Sequence, residues 1–170
     1  EYQTLALLEP AGISPVPYFL DHSFRFLPYG VLGMAYLPGE ELDYQRDLAH
    51  AARVMARYHQ LKVEESRIHL IREEQPLTLT FERCVRMMQV YLDSELGDPE
   101  VKAYLREIRD WADMARHREG YYLSDPWNCI INTEVNNTNW IINRQAGTLH
   151  LVDWEKPLWG DPSQDLSHFR

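Results

Sequence analysis

Apolar residues recur at three- and four-residue steps over three long stretches of the chain, the signature of amphipathic helices. From Tyr44 to Leu61 the stripe is Leu48, Ala51, Ala52, Met55 and Tyr58. From Thr80 to Leu96 it is Phe81, Cys84, Val85, Met88, Tyr91 and Leu92. The third begins with Asp98 as N-cap and Pro99 at the first helical position, and runs through Val101, Tyr104, Leu105, Ile108, Trp111 and Ala112. Glu1 to Glu9 reads as a shorter helix with Leu5, Leu7 and Leu8 apolar. The pattern changes near the end, where Trp140 to Asn143, a turn at Arg144-Gln145-Ala146-Gly147 and Thr148 to Val152 read as a β-hairpin. That hairpin folds the chain back and lets Asn139 approach Asp153.

The polar residues bracketing the hairpin carry the candidate chemistry. A carboxylate at Glu134, a carboxamide at Asn139 and a second carboxylate at Asp153 sit at the ends of short apolar runs. Oxygen ligands held this way suit Mg²⁺, which is usually bound by one or two protein ligands plus substrate phosphates. That is the layout of a phosphoryl-transfer site. The competing reading is that all three are turn and cap residues, positions that Asn and Asp favour through local hydrogen bonds. Asn136 and Asn137 read as loop residues.

Composition narrows the class. A formal charge of −9 over 170 residues, with no Lys/Arg cluster, argues against a nucleic-acid surface. No apolar run approaches the ~18 residues of a membrane helix. Cys84 and Cys129 have no metal or redox spacing, so a reduced, cytoplasmic compartment is the simplest reading. The seven histidines are scattered without zinc-binding spacing, and no G-x-S-x-G marks a serine nucleophile. Met34, Met55, Met87 and Met88 read as core. Arg116, His117 and Arg118 read as a solvated helix end.

In order along the chain, several segments resemble the aminoglycoside phosphotransferase and choline kinase family, whose fold is similar to that of protein kinases. Asn132 to Asn139 matches its catalytic loop, H-x-D-x-x-x-x-N, with Asn132 at the His and Glu134 at the Asp. Val152-Asp153-Trp154-Glu155 matches the metal-binding Asp after the hairpin, and Gly160-Asp161-Pro162-Ser163-Gln164-Asp165-Leu166 matches G-D-P-x-x-D-L. Gly12 to Pro17 is similar to the family's PVP turn from helix to strand. Val31 to Gly39 is similar to its hinge, and Tyr58-His59-Gln60-Leu61 to the end of the helix after the hinge.

The resemblance implies an α+β, protein-kinase-like chain with a short pair of hinge strands, a mainly helical C-terminal lobe and the catalytic hairpin. Residues 1–39 would end the N-terminal lobe and form the hinge, and residues 40–170 the C-terminal catalytic lobe. Most of the nucleotide lobe is then expected outside the chain, which also stops at Arg170 as a helix begins. The implied reaction moves the γ-phosphoryl of ATP (or GTP) to a hydroxyl of a small molecule, without nucleic acid or membrane. Asn139 and Asp153 would hold Mg²⁺, and Glu134 would orient or deprotonate the acceptor. Asn132 would support the loop, and Asp165 and Asp161 would brace the loop and the Gly-Asp-Pro turn. The backbone of Met34, Ala35, Tyr36 and Leu37 would meet the base, and Glu1 would pair with a Lys beyond this chain. The identities at Asn132 and Glu134 leave a nucleotide-binding pseudokinase as the rival, with a helical interaction domain as the third reading.

Overall fold

The structure, a computed structural model, describes residues 1–63, 69–122 and 127–168. It divides into two compact units, one of residues 1–72 with 128–170 and one of residues 73–127.

The first unit opens with helix α1 (Tyr2–Leu8), which buries Leu5 and Leu8. A 3₁₀ turn at Glu9–Ala11 ends at Gly12, whose φ of 60° is left-handed, and the chain then enters strand β1 (Pro17–Asp21). β1 pairs antiparallel with β2 (Val31–Met34), the expected hinge pair. After β3 (Glu40–Glu41) comes α2 (Tyr44–His59), whose start is fixed by the Asp43 carboxylate accepting from the Gln45 N–H at 2.9 Å. Of its apolar stripe, Ala51, Met55 and Tyr58 are buried and Leu48 is half exposed.

Strands β6 (Trp140–Asn143) and β7 (Thr148–Leu151) form the expected hairpin, with Trp140 opposite Leu151 and Asn143 opposite Thr148. Gly147 takes the left-handed conformation in its turn. β3 adds to the β6 edge. Gly39 permits that approach, because a Cβ there would lie 2.6 Å from the Ile142 carbonyl oxygen. A second three-stranded sheet places β8 (Leu158–Gly160) between β4 (Ile71–Arg72), parallel to it, and β5 (Cys129–Ile131), antiparallel. The unit's last described element is α6 (Ser163–His168); Phe169 and Arg170 lie outside the described residues.

The core of this unit gathers Leu5, Leu8, Val54, Tyr58, Trp140 and Trp154 among its fully covered side chains. The Tyr58 ring meets Trp154 edge-on at 5.4 Å. A buried aromatic removes ~150–250 Å² from water, roughly 4–6 kcal/mol at about 25 cal/mol per Å². Two of these anchors, Trp140 and Trp154, immediately follow Asn139 and Asp153. The packing that stabilises the core therefore also fixes the backbone on which the candidate ligands stand.

The second unit packs α3 (Pro76–Leu92) on α4 (Pro99–Arg116) and ends in α5 (Glu119–Tyr122). Asp98 caps α4 as expected, its carboxylate accepting from the Glu100 N–H at 2.8 Å. α3 corrects the expected span of Thr80 to Leu96, lying four residues earlier. Pro76 sits in its first turn, and buried Glu119 accepts from the Leu77 N–H at 2.7 Å and the Thr78 N–H at 3.1 Å. Gln75, at the N-cap, offers no side-chain cap of its own. Cys84, Tyr104 and Trp111, expected on buried stripes, are exposed, and Met34 and Met87 are exposed where core was expected. Among the four singled-out methionines only Met55 is fully buried. Among the described residues no helix is long and apolar enough to cross a membrane.

Candidate active site

The hairpin delivers the two candidate ligands to one place. Beyond the Trp140–Leu151 pair the Val152 N–H donates to the Asn139 carbonyl at 2.8 Å, so Val152 lies opposite Asn139 and Asp153 comes one residue later. The Asn139 amide is oriented by its Nδ2, which donates to the Glu134 carbonyl at 2.8 Å. Its Oδ1 accepts no hydrogen bond among the described residues. Asp153 has φ of 58°, a left-handed conformation uncommon for a residue with a Cβ. Its carbonyl accepts from Asn132 Nδ2 at 3.0 Å, a bond that holds this conformation.

Asn132 links the loop to the hairpin end. It is buried, donates from Nδ2 to the Asp153 and Val152 carbonyls, and accepts at Oδ1 from the Glu134 N–H at 3.0 Å. One side chain thus ties the backbones of Glu134 and Asp153 together. The fully buried Asp165 supports the same loop from α6. Its carboxylate accepts from the Thr133 N–H at 2.8 Å, the Asn132 N–H at 3.1 Å and the Tyr58 hydroxyl at 2.6 Å, and lies 2.9 Å from His59 Nε2. Burial, then the Asp165 charge and hydrogen bond, push the Tyr58 hydroxyl well above its ordinary pKa. Thr133 is held at φ 72°, a rare conformation for a β-branched residue, with its carbonyl 2.9 Å from His168 Nδ1. Asp161 accepts from the Ser163 N–H at 2.7 Å and shapes the Gly160-Asp161-Pro162 turn. Asn136 caps the 3₁₀ turn at Asn137–Asn139 through the Thr138 N–H, a loop role as expected.

Negative charge accumulates at this place. The Asp153 carboxyl is raised above its ordinary range chiefly by burial, then by Glu134 and Glu155, with Lys156 opposing. Partial burial also raises Glu1, with Glu155 and Asp153 adding to the rise. Glu1 therefore lies within electrostatic reach of Asp153 and lines a pocket of about 320 Å³ with Thr4, His69, Glu155 and Lys156. Among the described residues no three His, Cys, Asp or Glu side chains converge on a metal-sized point. A carboxamide oxygen and one carboxylate form a smaller protein set, of the kind Mg²⁺ completes with water and phosphate oxygens.

At the hinge, the Ala35 N–H donates to the Val16 carbonyl at 2.8 Å, continuing the strand pairing. The Ala35 carbonyl and the Leu37 N–H take no hydrogen bond among the described residues. Met34 is 37% and Tyr36 88% exposed, while Ala35 and Leu37 are half-buried. Three participants escaped the sequence reading: Lys156, whose ammonium is 3.1 Å from Glu134 Oε1, and the pair Tyr58 and His59, which hold Asp165. A Lys directly after Asp153-Trp154-Glu155 was a visible signal for the first. The second has none, because its partner lies more than a hundred residues away.

Comparison with known proteins gives these arrangements a family. A search of curated protein sequences finds no match. Among solved structures, the spectinomycin phosphotransferase APH(9)-Ia, solved in complex with ADP and spectinomycin, is similar at 15% identity with a TM-score of 0.55. A protein of Ralstonia eutropha JMP134, provisionally assigned as an aminoglycoside phosphotransferase, is similar at 16% identity with a TM-score of 0.65. Each likeness covers 97% of this chain but only 55% and 51% of the respective relative, so the chain spans about half the length of either. At these identities the likeness carries the fold, a mixed helix-and-sheet part of the kinase-like architecture. The model of the phosphotransferase enzyme family (APH) matches residues 1–169, and the chain belongs to that family.

Proposed function

We propose that the protein transfers the γ-phosphoryl group of ATP (or GTP) to a hydroxyl of a small molecule. The observation that carries this is the hairpin end, where Asn139 Oδ1 and the Asp153 carboxylate stand beside Glu134 on a backbone clamped by Asn132. Mg²⁺ fits these donors: they are hard oxygens, one of them accepting no hydrogen bond among the described residues, in a setting where Glu134 and Glu155 already make added positive charge favourable. Asn139 and Asp153 would hold it, and when bound it neutralises charge on the phosphates.

Glu134 is the base or orienting group. The acceptor oxygen forms a bond to the γ-phosphorus as the bond to the β–γ bridging oxygen breaks. ADP leaves with that electron pair, and the acceptor proton passes to the Glu134 carboxylate. Asn132 performs the loop support assigned to the family's His, and Asp165 and Asp161 brace it from behind. The Ala35 carbonyl and Leu37 N–H, in the run Met34, Ala35, Tyr36 and Leu37, would pair with the base of the nucleotide. Glu1 would pair with a phosphate-binding Lys outside this chain. The acceptor is a small alcohol or sugar; one solved relative, a spectinomycin phosphotransferase, is in complex with ADP and spectinomycin. A cytoplasmic location suits Cys84 and Cys129, both free, with the Cys129 thiol pushed up to about 12 by burial, then by Asp165 and Asp161, and so inert.

The test is ADP release by the complete natural protein with Mg-ATP across a panel of hydroxyl acceptors. Acceptor-dependent release that Asp153→Ala abolishes supports the transfer. Nucleotide binding without release under any acceptor would assign a pseudokinase.

A further inference from the structure

Glu134 stands where a loop of this kind carries the shorter Asp, and its extra methylene adds a torsion that the backbone clamp does not control. Its carboxyl also lies against that of Asp153, within hydrogen-bond reach, and so has a second partner competing for it. The Lys156 ammonium meets Glu134 Oε1 at 3.1 Å. The two residues rise from backbone that is itself tied: Thr133 Oγ1, one residue before Glu134, donates to the Lys156 carbonyl at 3.2 Å. Thr133 is in turn fixed through its N–H by Asp165 and through its carbonyl by His168.

We propose that Lys156 is a positioning residue for the transfer, tethering the longer Glu134 carboxylate so that it is held for the acceptor hydroxyl. This rests on the phosphotransferase reading and deepens it. Without the ammonium, Glu134 gains rotamer freedom, and a cation held by Asp153 offers it a competing partner. The base then becomes a ligand, and the acceptor proton loses its receiver. An Arg keeps the function, since a guanidinium pairs with a carboxylate at least as well.

The experiment compares wild type, Lys156→Met and Lys156→Arg of the complete natural protein, measuring kcat and KM for Mg-ATP by ADP release with the best acceptor, alongside Tm. A base misplaced by about 1 Å can cost up to roughly 10²-fold, so K156M is expected to lower kcat by at least about tenfold with KM for ATP within about twofold. K156R is expected to recover kcat to within about threefold. Tm should stay within about 3 °C of wild type, because Lys156 is 70% exposed and such pairs contribute little to stability. The proposal is overturned by a K156M kcat within twofold of wild type, or by a loss that Arg does not recover. It is equally overturned by a loss confined to KM, which would make Lys156 a nucleotide contact. Wild type that releases no ADP with any acceptor overturns the phosphotransferase reading itself, and Lys156's role with it.

Discussion

Asn132 offers the sharpest test of how this loop is built, because three hydrogen bonds converge on one buried side chain. Its Oδ1 accepts from the Glu134 N–H at 3.0 Å, and Nδ2 donates to the Asp153 carbonyl at 3.0 Å and, more weakly, to the Val152 carbonyl at 3.4 Å. Asn132→Ala removes all three and leaves the Glu134 N–H and Asp153 carbonyl without their partner. Each such group costs about 0.5–1.5 kcal/mol if water replaces the bond and ~1–3 kcal/mol if it stays dry. Two strong bonds and one weak one therefore sum to roughly 2–4 kcal/mol, or roughly 5–12 °C in Tm for a chain of this size. Asn132→Asp keeps the volume and the acceptor but turns an oxygen toward two carbonyls. It should cost more than Ala at neutral pH, with the excess shrinking as acid protonates the new carboxyl and makes it a donor. Urea unfolding followed by tryptophan fluorescence reads both variants, with the m-value expected to hold. A cost below about 1 kcal/mol for N132A, or an N132D no worse than N132A at neutral pH, would refute the clamp.

Asp153 has a raised folded-state pKa, so its protonated form is the stabilised one and ionisation penalises the fold as pH rises through that pKa. Asp153→Asn should therefore raise Tm near neutral pH without ligand, and the gain should shrink below about pH 4, where the unfolded carboxyl is also protonated; a less stable variant at neutral pH contradicts this. Asp47 behaves oppositely, held down to about 2 by its hydrogen bonds from Arg144, with the Asp43 N–H assisting. Its contribution is present above about pH 4 and lost as pH falls toward the folded value, so the stability gap between wild type and Arg144→Met should close over that window. A gap that persists at pH 2 would sink the assignment. Glu134→Asp should lower kcat by roughly ten- to a hundredfold, because the shorter carboxylate leaves the place that Lys156 holds. A gain in kcat would instead mark the natural loop as degenerate.

What the sequence made legible was local. The α2 stripe, the Asp98–Pro99 start of α4 and the hairpin at 140–151 each follow from period, capping and turn chemistry within a few residues, and each is present. The approach of Asn139 to Asp153 was legible for the same reason, since a hairpin fixes what lies beyond its last pair. The start of α3 was not, because its cap is Glu119, some forty residues on. The sheet of β4, β8 and β5 was hidden because strands of two or three residues carry no period. The left-handed Thr133 and Asp153 were hidden because neither residue announces that conformation, and both depend on distant partners, Asp165 and Asn132.

The central claim is that Asn139 and Asp153 bind a magnesium nucleotide, and ligand-induced stabilisation tests it most directly. Tm of the complete natural protein would be measured with ATP, with and without Mg²⁺, beside Asp153→Asn, each against its own ligand-free value. Nucleotide at about 100 times its Kd adds about 2.7 kcal/mol, enough for a readily measured rise in Tm. The account predicts a shift that requires Mg²⁺ and is lost in the variant. A shift of equal size in both proteins, or none in wild type, would contradict it.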